Sequence, residues 1–476
     1  MSKVRTAILF SSMSQYAVRF IGLASTMIVA RLLTPDEIGT FSVASAIVMI
    51  VAEFKLLGAA DYLVREEHLT DEKIRRALGL TILISWSLGL VIMALGSWAS
   101  AYYGLAPLKV IFLILATTFF LSPFISIPMA LVARQFNFKV LLAANIFSSL
   151  AALIVTVTLI YLGFSFYSLA WGHVAKILVE FLVVTFTKDF PIYWRPVLKN
   201  VEVIAKFGIY NSLTNLFKKG VAVAPDLVIG KMGTTAQVGM FSRGQGFVSF
   251  LSGTLTSGAS PVVLPYLSEA KRSGDDLISA YTKATLLMGA IVWPVLAVAS
   301  VASLPAIRIF FGGQWDAAAP VASILAVWLI LRSVHHFANN LLIASGNERA
   351  MLIKEAFLFF AIFVLVITAF PLGLQGVAYA FLILGVLEAF VNTWLLARVL
   401  DLKVIPFYLS LLPNLIISMV CATTTFTLSM WLSFEAEPPW KVIGTVAMCL
   451  PPIWLLSLKV LGHPLYKEIG LTSKKV

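Results

Sequence analysis

Eleven ionisable residues of this 476-residue chain fall deep inside long apolar runs: Arg19, Lys55, Lys176, Lys218, Lys219, Arg243 and Arg332 against Glu53, Glu180, Asp226 and Glu388. A charge held at mid-membrane costs at least ~2.5–3.5 kcal/mol, so such residues usually face an interior and usually serve function. Seven cations against four anions leave a surplus of three positive charges, which would attract an anion. Arginine offers planar bidentate donors to phosphate, and lysine a mobile point charge. The candidate ligands for an anionic headgroup are Arg19, Lys219, Lys55, Arg243 and Arg332. Glu53, Asp226 and Glu388 are candidates for ion coupling, and neutralisation of a nearby Arg or Lys accounts for them equally well. Other charges have simpler readings. Lys176 and Glu180 are four residues apart, which predicts a salt bridge within one helix. Arg31, Lys231 and Lys459 sit at helix ends and are expected to snorkel, a reading that competes evenly with a ligand role for Arg243.

The elements that carry these charges belong to a membrane. Sixty per cent of the residues are hydrophobic and 12% are charged, against roughly 45–50% and 25% in soluble domains. That composition excludes a soluble enzyme, a disordered protein and a secreted disulfide scaffold. Cys421 and Cys449 lie in apolar runs and read as buried hydrophobes. The five histidines are scattered, with the adjacent His335 and His336 pointing different ways from a helix, and no metal-ligand spacing occurs. No catalytic or metal site is expected.

Fourteen intervals are apolar enough to span ~30 Å of hydrocarbon: 7–33, 40–62, 77–99, 109–131, 141–162, 167–187, 209–231, 238–264, 284–304, 319–343, 355–371, 375–397, 408–432 and 441–461. With the N-terminus placed in the cytoplasm, cytoplasmic segments carry 22 of the 35 basic residues and the opposite loops carry three, Lys109, Arg308 and Lys441. This asymmetry orients the chain with both termini inside. Most of the net charge of +12 therefore sets orientation. The first run is too long for a cleaved signal peptide. Gly163–Phe166 and Pro371–Leu374 allow only tight hairpins, and Lys188–Gly208, with Pro191 and Pro196, reads as a linker between halves. No loop leaves room for an extramembrane catalytic domain.

An internal repeat appears at an offset of 200 residues. Thr34, Gly39, Phe41, Ser42 and Gly58 recur as Thr234, Gly239, Phe241, Ser242 and Gly258. The first helix carries a polar stripe, Ser12, Gln15, Arg19, Gly22 and Thr26, whose 3, 4, 3, 4 spacing is one helical face. The same register later reads Ser212, Asn215, Lys219, Ala222 and Asp226. Six helices separate the copies, so the repeat is parallel, with a substrate site expected between two rocking lobes. The expected fold is an all-α polytopic membrane protein. It has two pseudo-symmetric six-helix lobes, 1–190 and 191–400, and a C-terminal helix pair with a cytoplasmic tail, 401–476. Arg19 and Lys219 occupy equivalent mid-helix positions and are the leading site candidates. Pro225 is expected to kink its helix.

Ala30-Arg31-Leu32-Leu33-Thr34-Pro35-Asp36-Glu37-Ile38-Gly39 and Leu57-Gly58-Ala59-Ala60-Asp61-Tyr62-Leu63-Val64-Arg65-Glu66 resemble the ends of helices one and two in Wzx-type flippases of lipid-linked oligosaccharides. Further resemblance lies in Phe207-Gly208, Asp226–Gly233, Gly239-Met240-Phe241-Ser242-Arg243 and Gly312-Gly313-Gln314-Trp315. The resemblance runs nearly the whole chain. It implies the multidrug/oligosaccharidyl-lipid/polysaccharide exporter fold, with a V-shaped cationic cavity. It also implies movement of an undecaprenyl-diphosphate-linked glycan across the bacterial inner membrane, to serve O-antigen, capsule or exopolysaccharide (lipopolysaccharide or related polymer) synthesis. Arg19, Lys55 and Arg243 correspond by position to cavity arginines of related peptidoglycan-precursor flippases, with lysine replacing arginine at 55. The last helix pair resembles the part that forms a groove for the polyprenyl tail.

Expected partners are the lipid-linked glycan, membrane lipids, and a polysaccharide polymerase with its chain-length regulator, with no nucleic acid and no cofactor. Transport would draw on a proton or sodium gradient or on membrane potential. Sugar contacts could come from Asn145, Tyr210, Asn211 or Asn339. Three alternatives stay open: a drug/cation antiporter of the same superfamily, which would need an acidic cavity; a membrane-embedded polysaccharide polymerase or ligase, which would need a large outer loop; and a non-transporting scaffold, which would not need Arg19 and Lys219.

Overall fold

Backbone amides and carbonyls have no water to bond in hydrocarbon, so apolar runs of this length satisfy them internally by forming helices. The computed structural model describes residues 3–55, 58–135, 137–186, 195–198, 202–258 and 260–470, and every regular element among the described residues is helical. Contacts group the chain into two compact units, Met1–Gly239 and Met240–Val476. Of the expected linker, residues 188–194 and 199–201 lie outside the described residues, as do the side chains of Ser12, Asp61, Tyr210 and Asn211.

The first unit holds α1 (Lys3–Leu32), α2 (Pro35–Ala52), α3 (Ala59–Arg65), α4 (Asp71–Tyr103), α5 (Pro107–Leu121), α6 (Pro123–Arg134), α7 (Phe138–Tyr161), α8 (Tyr167–Phe186) and α9 (Glu202–Met232). Within it, α2 packs against α4, α5 and α9, while α1 lies along α7. Thus α9, which the repeat counts as the opening helix of the second lobe, packs in the first unit. It runs as one helix through Pro225.

The second unit takes most of α10 (Thr235–Thr256), then α11 (Ser260–Ser273), α12 (Leu277–Val301), α13 (Ser303–Phe310), α14 (Ala319–Ser333), α15 (Ala338–Ser345), α16 (Glu348–Ala369), α17 (Gly373–Leu400), α18 (Val404–Trp431), α19 (Pro439–Val460) and α20 (Pro464–Glu468). The C-terminal pair α18 and α19 is fixed to α12. Asn414 Nδ2 donates to the Leu286 carbonyl at 2.9 Å, and Trp454 Nε1 to the Ala290 carbonyl at 2.8 Å. The short α20 closes this unit. His463 Nδ1 accepts from the Leu465 amide at 3.1 Å, and Leu465 packs with Ala290, Ile417, Cys421 and Leu458.

Each of the fourteen expected intervals overlaps a helix or a pair of helices. Among the described residues, nine helical segments are long and apolar enough to cross a membrane, or ten if the pair α5–α6, bent by 46°, is one span. The helices α1, α9 and α10 fall outside that set, and they carry Arg19, Lys219 and Arg243.

Four intervals read as continuous from the sequence are broken. The expected 40–62 stops at Ala52 and restarts at Ala59, and 238–264 breaks between Thr256 and Ser260. The intervals 109–131 and 319–343 break at Ser122 and between Ser333 and Ala338. These are the second, eighth, fourth and tenth intervals, two pairs six helices apart, so the breaks obey the repeat. For the second and fourth intervals the cause is local. Gly58 adopts a left-handed φ of 71°, which glycine does at no steric cost, and Pro123 has no amide to continue α5. The helix starts also repeat. Thr34 and Glu37 form a reciprocal capping box on α2 (Thr34 N to Glu37 Oε2, 2.8 Å). Thr234 and Gln237 do the same on α10, at 3.0 and 3.2 Å.

Candidate anion site and apolar groove

The break after α2 creates a charged cluster inside the first unit. The chain leaves α2 through a tight turn, with the amides of Glu53, Phe54 and Lys55 bonded to the carbonyls of Ile50, Val51 and Ala52 at 3.1–3.3 Å. Glu53 and Lys55 are thereby presented at a helix end. Lys219 of α9 donates from Nζ to Glu53 Oε1. The Glu53 side chain is 11% exposed and that of Lys219 is 44% exposed, so the carboxylate is walled in while the ammonium keeps an open side.

Lys55 lies within electrostatic range of Glu180, Glu53 and Lys219, and its Nζ sits 5.5 Å from the centre of the Phe119 ring. Glu180 on α8 meets Lys176 at 4.0 Å, the pairing expected from their spacing, and also accepts from Ser148 Oγ of α7 at 3.3 Å. One turn before Ser148, Asn145 Nδ2 donates to Ser14 Oγ of α1 at 3.1 Å. Three lysines and two glutamates from the end of α2, α8 and α9 therefore share one cluster.

Arg19 stands apart from this cluster. No ion pair forms at Arg19 among the described residues. Its polar stripe is open: Gln15 and Gly22 are exposed, and a Cβ at Gly22 would meet nothing within 4 Å. Asp226 lies two turns beyond Lys219 on α9 and is half-buried.

The other expected ligands lie in the second unit. The Arg243 guanidinium lies 5.9 Å from the Phe311 ring and 5.7 Å from the buried Trp315 ring, a cation–π arrangement. Arg332 Nε is 3.6 Å from Glu388 Oε1, and the guanidinium covers Trp328 at 5.4 Å. Glu53 and Glu388 thus each neutralise a neighbouring cation. One turn beyond Arg243, Phe247 begins an apolar cavity of about 580 Å³, walled also by Leu251, Pro294, Val298, Phe310 and Trp454. It opens between α10, α12, α13 and α19, so one wall comes from the C-terminal pair.

The sequence reading missed a buried polar cluster in the second unit. Lys354 and Glu355, at 3% and 5% side-chain exposure, pair at 3.0 Å. Lys354 Nζ also donates to Asn339 Oδ1 at 2.7 Å and Asn392 Oδ1 at 3.1 Å, and Asn339 Nδ2 donates to Glu355 at 2.9 Å. Next to Asn392, Thr393 bonds His335, which in turn bonds Tyr281 at 2.7 Å. His335 is buried and His336 exposed, and both lie in the turn between α14 and α15 rather than on a helix. Adjacent opposite charges near a helix start carry no signal of burial in the sequence.

Fold and cluster together define a polytopic helical membrane protein of a transporter fold. The architecture is similar to "Lipid II flippase MurJ, inward closed conformation", with a TM-score of 0.77 at 16% identity over 97% of this chain and 99% of that one. It is similar too to an inward-facing multidrug resistance MATE family transporter, at a TM-score of 0.66 and 15% identity over 82% and 99%. Residues 28–320 match the family described as "Polysaccharide biosynthesis protein", and the chain belongs to that family.

Relatives include the succinoglycan biosynthesis transport protein ExoT of Rhizobium meliloti, 23% identical over 63% of this chain. The match spans 61% of ExoT, less than two thirds of its length. The teichuronic acid biosynthesis protein TuaB of Bacillus subtilis is 20% identical over 87% of this chain and 86% of its own.

Proposed function

We propose that this protein flips an undecaprenyl-diphosphate-linked oligosaccharide from the cytoplasmic to the periplasmic leaflet of the bacterial inner membrane, by alternating access. Its product would feed a polysaccharide polymerase and chain-length regulator making O-antigen, capsule or exopolysaccharide. The observation that carries the reading is the excess of cations in the cluster at the end of α2, where Lys55, Lys176 and Lys219 face Glu53 and Glu180. A diphosphate supplies the missing negative charge in charge-assisted hydrogen bonds. Lys55, Lys219 and, from the open stripe of α1, Arg19 are the proposed headgroup ligands, with Arg243 and Arg332 as further cations on its route. The apolar cavity behind Phe247 suits a long hydrocarbon tail. Family membership and the names of ExoT and TuaB support a glycan as the cargo. The basic-residue asymmetry supports cytoplasmic termini.

Reconstituted protein tests this directly. It should move an intact lipid-linked oligosaccharide between leaflets without changing its length, and Lys55→Ala, Lys219→Ala and Arg19→Ala should each slow that movement at least tenfold at equal protein level. Normal flipping in all three would remove the cluster from the mechanism, and a lengthened product would make the protein a polymerase. The similarity to the multidrug transporter favours a drug/cation antiporter as the second reading. The cation excess opposes it, since a cationic drug would be repelled.

A further inference from the structure

We propose that a polar pocket at one end of the second unit binds uncharged sugars of the lipid-linked cargo and turns away acidic ones. The inference rests on the proposed function and adds a subsite for the glycan, apart from the cations assigned to the diphosphate. The pocket measures about 650 Å³, and segments distant in sequence wall it: α13 with the turn that follows, the start of α17, and the turn between α18 and α19. That volume lies within the ~300–1,000 Å³ of small-molecule sites. By the proposed orientation, all of these segments lie on the side to which the glycan is delivered.

One side chain fastens these walls together. Gly312, at a left-handed φ of 98°, turns the chain back after α13, so that Arg308 meets Asp316. Arg308 Nε donates to the two carboxylate oxygens at 3.0 and 3.1 Å, and Nη2 donates to Oδ2 at 2.7 Å. Its Nη1 donates to the Glu435 carbonyl at 2.7 Å, which ties the α18–α19 turn to the same place. The pocket is thereby built before a ligand arrives, which spares the cost of ordering loops on binding. From α17 come Gln375 and Tyr379, both exposed, and their spacing of four puts them on one helical face.

These groups match a saccharide. A sugar hydroxyl both donates and accepts hydrogen bonds, and the pocket sets the acceptors Asp316 and Glu435 beside the donor Arg308 and the Gln375 amide, which does both. The Tyr379 ring supplies a flat apolar face for the C–H side of a pyranose, with a hydroxyl at its tip. Charge then sorts the ligands. One arginine against two carboxylates leaves a single negative charge, and like charge repels a uronic acid or a diphosphate. In that respect the pocket is the opposite of the lysine-rich cluster at the end of α2.

The test uses the full chain in lipid nanodiscs, with cellotriose as the uncharged probe and trigalacturonate as the acidic one. Saturation-transfer difference spectra should show cellotriose binding at least tenfold more tightly than trigalacturonate. Tyr379→Ala and Gln375→Ala should each weaken cellotriose at least fivefold with the melting temperature unchanged. A lipid-linked oligosaccharide of uncharged sugars, placed in the disc membrane, should displace cellotriose from the unaltered protein. No binding of cellotriose, equal binding of the two probes, or unchanged affinity in both variants overturns the pocket. Failure of the lipid-linked glycan to displace cellotriose overturns its assignment to the cargo. None of these outcomes bears on flipping, which is measured separately; absence of flipping with cellotriose bound overturns the proposed function and leaves a saccharide site.

Discussion

Gly39 and Gly239, exactly one repeat apart, cross backbone to backbone at the starts of α2 and α10. A Cβ on Gly39 would lie 1.7 Å from the Thr235 carbonyl oxygen, and one on Gly239 would lie 2.2 Å from that of Pro35. Thr235 Oγ1 reinforces the crossing by donating to Asp36 Oδ1 at 2.7 Å. The two glycines occur at the same place in the repeat because each is the other's clearance.

Gly39→Ala and Gly239→Ala should therefore each separate the helices, costing about 1–3 kcal/mol or more through overpacking. Gly22→Ala, where a Cβ meets nothing within 4 Å, should gain up to ~1 kcal/mol of helix propensity. Thermal melts in detergent should rank the three proteins in that order. Equal melts for Gly39→Ala and Gly22→Ala would contradict the close crossing.

The Glu53–Lys219 pair makes a charge-swap prediction. Lys219→Glu alone sets two carboxylates together in a half-buried site and should lower the melting temperature and the yield. Adding Glu53→Lys should restore both, because the pair is reformed. Flipping should stay at least tenfold below normal in the restored protein, since the open position then presents a carboxylate to an anion. Recovery of flipping along with stability would make the pair purely structural.

Lys354 should be the least replaceable cation outside the proposed site. Lys354→Met leaves the Glu355 charge buried without its ammonium, which should cost about 3–5 kcal/mol. The double variant Lys354→Met with Glu355→Leu should recover part of that, the remainder being lost at Asn339 and Asn392, which keep polar atoms facing an apolar pair. Monodispersity on size exclusion and the melting temperature measure both effects.

The fastening of α20 should loosen in acid. Burial holds the His463 imidazole below its ordinary value near 6.5, and its Nδ1 lone pair is the acceptor for the Leu465 amide. A released segment binds a proton more readily than the docked one, so stability is constant above about 6.5 and falls as pH drops from there toward the lowered native value. The protection factors of residues 462–470, which are hydrogen-exchange rates corrected for their intrinsic pH dependence, should fall between pH 7.5 and about 5.5. His463→Asn keeps a capping acceptor without a titrating group and should flatten that dependence.

The repeat was legible in the sequence because its signals are local. Thr34 and Thr234 cap by the same spacing, and hydropathy locates most of the helices. The helix breaks were not legible from hydropathy, because Glu53 and Lys55 are too few to end an apolar run in a windowed average. Gly58 and Pro123 were the readable signs. The partnership of Glu53 with Lys219 has no sequence signature, since it depends on α2 packing against α9. The Lys354–Glu355 cluster stayed hidden for a related reason: Asn339 and Asn392, which make burial tolerable, come from two other helices.

The pairing of Glu53 with Lys219 also sets an order on biogenesis. The two residues are 166 positions apart, which at 5–20 residues per second is roughly ten to thirty seconds of synthesis. During that interval α2 must enter the membrane with its acidic end unmatched, accompanied by Lys55 alone. Nascent chains halted before α9 should be retained by the insertion machinery or its chaperones, and their release should coincide with the emergence of Lys219.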